Sequence, residues 1–389
     1  MIPYGKQDIS KEDIAEVEKV LRSDFLTQGP TVPRFERAVA DFVSARNGIA
    51  STSATAALHL ACLALEIGPG DWLWTSANTF VASANCGLYC GAKVDFIDID
   101  PRTYNICVES LKEKLEKAEK DGRLPKVVIP VHFAGQPCDM LTINSLSKRY
   151  GFRIIEDASH AIGASLYKSK IGSCTHSDLT VFSFHPVKII TSGEGGMILT
   201  NNDELAKKIR IFRTHGITND TLNFHPRPSN EIWNYQQQAL GFNYRMTDIQ
   251  AALGMSQLGR VNEFVAKRRE LAERYDDALS ALPLSVPWQA PDTHSAYHLY
   301  PIVLQGERSK KSQRKIYDFM RAYNILVNIH YIPVYRHPYF ESIGFRENYC
   351  PNAETYFKSA ISIPMFASLK EVEQEIVISV LKEACANSM

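Results

Sequence analysis

Apolar positions along this chain follow two rhythms. After Ser10, the residues Ile14, Val17, Val20 and Leu21 fall on one helical face, so residues 11–22 read as a helix with Ser10 as its N-cap. Pro33 opens a second helix that carries Phe35, Val39, Phe42 and Val43. The second rhythm is a succession of short apolar runs bounded by turn residues: 72–74, 94–97, 127–129, 153–156, 180–183 and 197–199. Helical stretches lie between most of them, such as 54–65, 109–118 and 138–150. Short buried strands alternating with helices predict an α/β fold with a mostly parallel sheet covered on both faces.

From about residue 245 the texture changes. Few breakers interrupt the run from Thr247 to beyond Leu279, which reads as one long helix. Strand-like runs at 297–304 and 326–329 then mix with helices. The pattern predicts a large α/β domain over residues 1–245, including an N-terminal helix, and a smaller α+β domain over 246–389. Open α/β sheets bind ligands beyond the C-terminal ends of their strands. The residues just after each predicted strand are therefore the ones to inspect.

Composition narrows the function. The 389 residues carry 43 Lys+Arg and 43 Asp+Glu, a formal net charge of zero. That balance argues against nucleic-acid partners and against a polybasic membrane surface, which need excess positive charge. An apolar fraction of 45% with 22% charged residues suits a soluble enzyme rather than a disordered chain. Residues 72–92 carry no charge, yet Thr75, Ser76, Asn78, Thr79, Ser83 and Asn85 interrupt them. A buried strand and helix explain the segment better than a membrane span. The N-terminus shows no secretory signal pattern. The eight cysteines are scattered without a C-x-x-C pair, and read as reduced thiols of a cytoplasmic protein. With no H-E-x-x-H either, no metal site is expected.

Four segments carry candidate chemistry. Ser51-Thr52-Ser53-Ala54-Thr55 opens an alanine-rich helix, whose free N–H groups and positive dipole end suit a phosphate. By itself it is more simply a cap. Glu156-Asp157-Ala158-Ser159-His160 ends a strand in two acids, of which Asp157 serves either as a helix cap or as the holder of a proton on a heterocyclic nitrogen. Lys188 sits between the apolar run ending at Ser183 and the turn Gly193-Glu194-Gly195-Gly196. Most lysines are solvated; desolvation among apolar neighbours lowers the pKa of this one and frees its amine for attack on a carbonyl. Gly241-Phe242-Asn243-Tyr244-Arg245 precedes a helix that Thr247 caps. Together these segments fit pyridoxal 5′-phosphate, which needs a lysine, an acid opposite its ring nitrogen and a phosphate cup. Phe80, after the 72–74 strand, offers a flat face over the ring.

These markers, with Leu26-Thr27-Gln28-Gly29-Pro30, make the chain resemble the sugar aminotransferases of the DegT/DnrJ/EryC1/StrS group, of the aspartate-aminotransferase fold (fold type I), over nearly its whole length. Ile2-Pro3-Tyr4-Gly5-Lys6-Gln7 and the Leu26 to Gly29 segment resemble the branch that aminates C4 of a UDP-linked 4-keto-6-deoxy-N-acetylhexosamine for pseudaminic acid. The resemblance implies that Lys188 bonds the cofactor and shuttles protons, and that Asp157 pairs with the ring nitrogen. Phe80 stacks on the ring, and Ala54, Thr55 and Ser183 hold the phosphate. Asn243 reaches in from a second subunit, which implies a homodimer with shared active sites. His160, where relatives often carry glutamine, lies near the ring hydroxyl. Tyr4, Leu26, Thr27, Gln28, Gly29, His330, Tyr331, Ile332 and Pro333 line the nucleotide-sugar pocket, and glutamate is the amino donor. A branch that dehydrates its sugar carries histidine in place of the lysine, so Lys188 favours transamination. A dehydratase, or an aminotransferase of a dTDP-linked or 3-keto sugar, remains the competing expectation. A regulatory protein is disfavoured, because such regulators carry an added DNA-binding domain and an excess of positive charge.

Overall fold

The computed structural model describes residues 1–226, 228, 234–306 and 309–388. Ser10 caps the helix Lys11–Leu21 in a reciprocal capping box with Asp13. The second helix, Thr31–Val43, begins two residues before Pro33, which sits in its first turn where a missing N–H costs nothing. A seven-stranded sheet follows. In spatial order its strands are Asn47–Ser51, Gly196–Thr200, Leu179–Ser183, Arg153–Asp157, Val127–Ile129, Trp72–Ser76 and Lys93–Ile97. The last five run parallel to one another. Gly196–Thr200 runs antiparallel to both its neighbours. Asn47–Ser51 escaped the pattern reading, because its apolar stretch is too short to stand out from the turn around it.

Each strand is buried on both faces, so adjacent residues serve different cores. Val128, Ile154 and Phe182 belong to one apolar cluster. Val127, Ile155 and Val181 belong to the other. The uncharged segment 72–92 is the strand Trp72–Ser76 and the helix Ala82–Tyr89. Among the described residues no helix is long and apolar enough to cross a membrane. All eight cysteines are free thiols.

The predicted long helix is two. Thr247 caps Asp248–Leu258 in a capping box with Gln250; the chain breaks at Gly259 and Arg260, and Val261–Leu279 continues. A three-stranded antiparallel sheet of Leu284–Ser285, Tyr300–Leu304 and Ala360–Ile363 packs around a third apolar cluster. Residues 326–329 form no strand; their apolar run makes a single bridge, Asn328 to Ser362. That bridge delivers His330 and Tyr331 toward the central sheet: Tyr331 N–H donates to Asn78 Oδ1 at 2.9 Å.

Candidate active site

The C-terminal ends of the parallel strands surround a cavity of about 990 Å3. Asp157 is the last residue of its strand. Lys188 follows Leu179–Ser183 in a loop that folds back, with Phe184 N–H donating to Gly195 O at 2.9 Å and Thr191 Oγ1 to Phe184 O at 2.9 Å. Gly196 lets this loop meet the start of the helix Ala54–Ala64. A Cβ there would lie 2.5 Å from Ser53 O and 2.7 Å from Ala54 N. Lysine loop and helix N-terminus are thereby joined at one point.

Ser53 caps that helix, its hydroxyl accepting from Ala56 N–H at 3.1 Å. The first amides, those of Ala54 and Thr55, have no acceptor among the described residues and belong to residues that line the cavity. This is the arrangement that binds a phosphate. Asp157 is buried and accepts from Ser83 Oγ at 2.6 Å, Ser159 Oγ at 2.6 Å and Ser159 N–H at 3.1 Å. Thr79 Oγ1 lies 2.9 Å from Ser83 Oγ and extends the network. Burial pushes the Lys188 amine down to about 8, although the charge of Asp157 opposes the shift. At pH 7 roughly one tenth of this amine is uncharged.

His160 has one available tautomer. Its Nδ1 accepts from Ala134 N–H at 3.2 Å, so Nε2 carries the proton and donates toward Tyr331 Oη at 3.2 Å. Burial, with the charges of Lys188 and His330, holds its pKa well below the ordinary value, so the ring stays neutral. The geometry thus settles a donor role that residue type alone leaves open.

Of the expected cofactor residues, Ala54, Thr55, Phe80, Asp157, His160, Ser183 and Lys188 line this one cavity. Phe80 stands on its rim, 58% exposed. Tyr4, His330, Tyr331 and Ile332 line it as well. Asn243 does not; it is exposed, and its backbone pairs with Thr214. Nor do Leu26, Thr27, Gln28, Gly29 or Pro333. Leu26, Thr27 and Gln28 are exposed. Thr27 bridges Thr247, and Gly29 N–H donates to Asp248 Oδ2 at 2.8 Å, which ties the segment to a helix start. Pro333 is buried at the start of the turn Val334–Arg336.

Several residues in or behind the cavity escaped the sequence reading. Ser83 holds Asp157 from a distant helix, which no local spacing reveals. Ser159 was legible in principle, because an aspartate two residues before a serine commonly bonds its N–H. His298 is buried, its ring centroid lies 4.4 Å from that of His160, and its Nδ1 has no partner among the described residues. Nothing in its own segment marks it.

A buried amine of lowered pKa, a carboxylate locked by two serines, free amides at a helix start and an exposed aromatic ring match the donor set of pyridoxal phosphate. Comparison with known proteins agrees. The chain is 38% identical over 385 residues to the spore coat polysaccharide biosynthesis protein SpsC of Bacillus subtilis, covering 98% of this chain and 96% of that protein. It is 37% identical over 366 residues to the UDP-4-amino-4,6-dideoxy-N-acetyl-beta-L-altrosamine transaminase of Campylobacter jejuni, covering 94% and 92% respectively. Among solved structures, Spr1654 of Streptococcus pneumoniae in its PMP form superposes with a TM-score of 0.90 at 27% identity, covering all of both chains. Residues 7–382 match the model of a single family, and the chain belongs to it: the DegT/DnrJ/EryC1/StrS aminotransferases.

Proposed function

We propose that this aminotransferase moves an amino group from glutamate to C4 of a UDP-linked 4-keto-6-deoxy-N-acetylhexosamine, a reaction of the pseudaminic acid type. The family works with pyridoxal 5′-phosphate. The observation that carries the reading is Lys188, a buried amine with its pKa lowered to about 8, in the same cavity as Asp157. The name of the Campylobacter jejuni relative supports the sugar.

When bound, the cofactor supplies an electron sink that stabilises charge on the carbon losing its proton. Asp157 holds the ring-nitrogen proton, and Ser83 and Ser159 fix the carboxylate for that task. Ala54, Thr55 and Ser183 hold the phosphate. His160 Nε2–H, now aimed at Tyr331 Oη, is the donor available to a ring hydroxyl. Lys188 Nζ, uncharged in part near neutral pH, would be the base that takes the proton from the amino-bearing carbon of the donor and gives it back two bonds away, on the far side of the nitrogen. On the keto sugar it performs the same transfers in reverse order. Phe80 and Tyr331 wall the site against water. Tyr4, His330 and Ile332 face the sugar nucleotide. Asn243 and the Leu26–Gln28 segment, which are exposed and do not line their own cavity, serve the site of a second copy in a homodimer.

Product analysis tests this reading. With glutamate and a panel of UDP- and dTDP-linked 3- and 4-keto sugars, the UDP-4-keto-6-deoxy sugar gains nitrogen. Preference for a dTDP-linked or 3-keto sugar overturns the substrate, and water loss without nitrogen gain overturns the reaction. Borohydride followed by digestion places the pyridoxyl label on the Lys188 peptide, and none appears with Lys188→Ala. A label on any other lysine removes Lys188 from its role.

A further inference from the structure

Three buried histidines line the cavity: His160, His298 and His330. Two of them have both ring nitrogens in use. His160 bonds Ala134 and Tyr331. His330 Nδ1 lies 2.9 Å from Ser362 Oγ, and its Nε2 lies 3.3 Å from Asn328 Nδ2. His298 differs, because its ring makes no hydrogen bond among the described residues. Its Nδ1 is wholly buried, which leaves Nε2 as the nitrogen open to a ligand. A buried polar ring without partners costs stability, so its place in the wall of an active site calls for a use.

The segment that carries His298 is held from two sides. Ala296 N–H donates to Gly135 O at 3.1 Å and Leu299 N–H to Ala134 O at 3.4 Å, which ties it to the turn whose Ala134 also orients His160. A Cβ on Gly135 would lie 3.1 Å from both His298 N and His160 O, so glycine lets the two histidine segments meet there. On the other side, Arg268 Nη1 donates to the carbonyls of Tyr297, His298 and Met365 at 3.2, 3.1 and 2.9 Å. Arg268 is 1% exposed and has no carboxylate partner among the described residues. Burial pulls its pKa down to about 10, so it stays charged near neutral pH. A buried cation without a counter-ion sets a positive field behind the His298 segment.

No arginine lines the cavity among the described residues, so an entering carboxylate has Lys188 and the histidines to meet. The acids of the lining are Asp157, assigned above to the ring nitrogen, and Glu194, which is exposed. Burial first, then the neighbouring His160, Lys188, Arg268 and His330, holds the His298 pKa well below the ordinary histidine value. A neutral ring carries one N–H, and with the proton on Nε2 it donates to an anion. Bond counting selects the anion. The α-carboxylate of an amino donor is attached to the carbon that gives up its proton, whereas the diphosphate of a nucleotide sugar joins C1, across the ring from a C4 carbonyl. Resting on the transamination proposed above, we propose that His298 receives the α-carboxylate of the amino donor. Nε2–H donates to one carboxylate oxygen, and Arg268, which bonds only backbone carbonyls here, is a positioning residue behind it.

Two half-reactions of the cofactor-loaded enzyme test the proposal, followed by the absorbance of the bound cofactor. In the donor half-reaction the parent prefers glutamate over its α-amide, isoglutamine, by at least about tenfold. His298→Phe keeps a planar ring without an N–H and brings that preference to within about twofold; His298→Gln keeps a donor and retains most of it. The half-reaction with the keto sugar falls far less than that with glutamate. Calorimetry adds a readout that needs no turnover: glutarate, an unreactive dicarboxylate, binds the parent and His298→Gln at least about tenfold more tightly than His298→Phe. His298→Leu repeats the comparison if His298→Phe does not take up the cofactor. The proposal is overturned if the parent does not distinguish acid from amide, if the preference survives His298→Phe, if glutarate affinity ignores the substitution, or if both half-reactions fall equally, which would make the ring a support for His160 alone. Should neither glutamate nor isoglutamine convert the cofactor, the transamination reading fails and this proposal with it, an outcome distinct from conversion without discrimination.

Discussion

Glu156 and Asp157 are neighbours on one strand, and the alternation of side chains sends them to opposite faces. Both are almost fully buried. Glu156 sits in a closed network. Its Oε2 lies 2.7 Å from His132 Nε2, and Oε1 accepts from the hydroxyls of Ser177 and of Thr180, the latter at 3.0 Å. Cys138 N–H donates to His132 Nδ1 at 3.0 Å, so the proton of that ring points at the carboxylate. Burial alone would raise the Glu156 pKa, but His132 and the two hydroxyls hold it below the usual carboxylate range. Asp157 is as well hydrogen-bonded, yet it borders a cavity that also holds the Lys188 amine, whose pKa is depressed by burial. Burial and hydrogen bonding are thus common to both acids. Open volume, and a second titratable group that is ill at ease in it, belong to one.

Exchanging the two acids for their amides separates these roles most sharply. Asp157→Asn keeps the shape and the contacts with Ser83 and Ser159 within reach, so folding is nearly unchanged. It removes the charge that the proposed role sets opposite the ring nitrogen, and kcat falls by roughly 10²–10³. Glu156→Gln does the reverse. Replacing the charged acceptor of three hydrogen bonds costs about 1–3 kcal/mol of stability, while turnover per folded molecule stays close to that of the parent. Denaturant melts and steady-state kinetics on the two variants check both halves. If Glu156→Gln loses the activity and Asp157→Asn the stability, the two roles have been assigned to the wrong faces.

How much of this was legible in the sequence follows from the range of each signal. Six of the seven strands, the caps at Ser10 and Thr247, and the positions of Lys188 and Asp157 rest on local rhythm, capping chemistry or strand-end placement. Lys188 stood out because its neighbours along the chain are apolar. The break at Gly259 and Arg260 was not legible, since helical periodicity runs through it. Ser83 and His298 reach the site through tertiary contacts 74 residues from Asp157 in one case and through ring packing on His160 in the other. Only the folded chain brings such residues together. Phe80 was legible only as an aromatic residue just after a strand, whereas the resemblance to a family brought in the role of Asn243 and the Leu26 to Gly29 segment.

The amine of Lys188 offers a second way to sharpen the contrast, with an effect of about tenfold. In protein freed of cofactor, reductive methylation at Lys188 needs the uncharged amine. With a pKa of about 8, the uncharged fraction is roughly one tenth at pH 7 and nine tenths at pH 9. The methylation rate of the Lys188 peptide, followed by mass spectrometry, therefore rises through pH 8 and levels off above it. Exposed lysines, with an ordinary value near ~10.4, keep rising across the whole range. A Lys188 profile that tracks the exposed lysines would mean that burial does not depress this amine. The cavity would then lose the feature that distinguishes it from the closed network around Glu156.

The smallest effect is expected at Ser83, and it tests whether Asp157 is held in place or merely present. Ser83 Oγ is the sole donor to Oδ2 among the described residues, whereas Ser159 supplies two bonds to Oδ1. Ser83→Ala leaves Oδ2 free to turn, and Thr79 Oγ1 loses its own partner at the same time. A hydrogen bond to a carboxylate worth about 1 kcal/mol lowers kcat roughly three- to tenfold. Because the Ser83 hydroxyl touches Asp157 and Thr79 and does not line the cavity, KM for the amino donor and for the keto sugar stays the same. Ser83→Thr keeps the hydroxyl and restores most of the rate, which a loss caused by repacking of the helix Ala82–Tyr89 would not permit. A change in KM without a change in kcat would place Ser83 among the substrate contacts and leave Asp157 anchored by Ser159 alone.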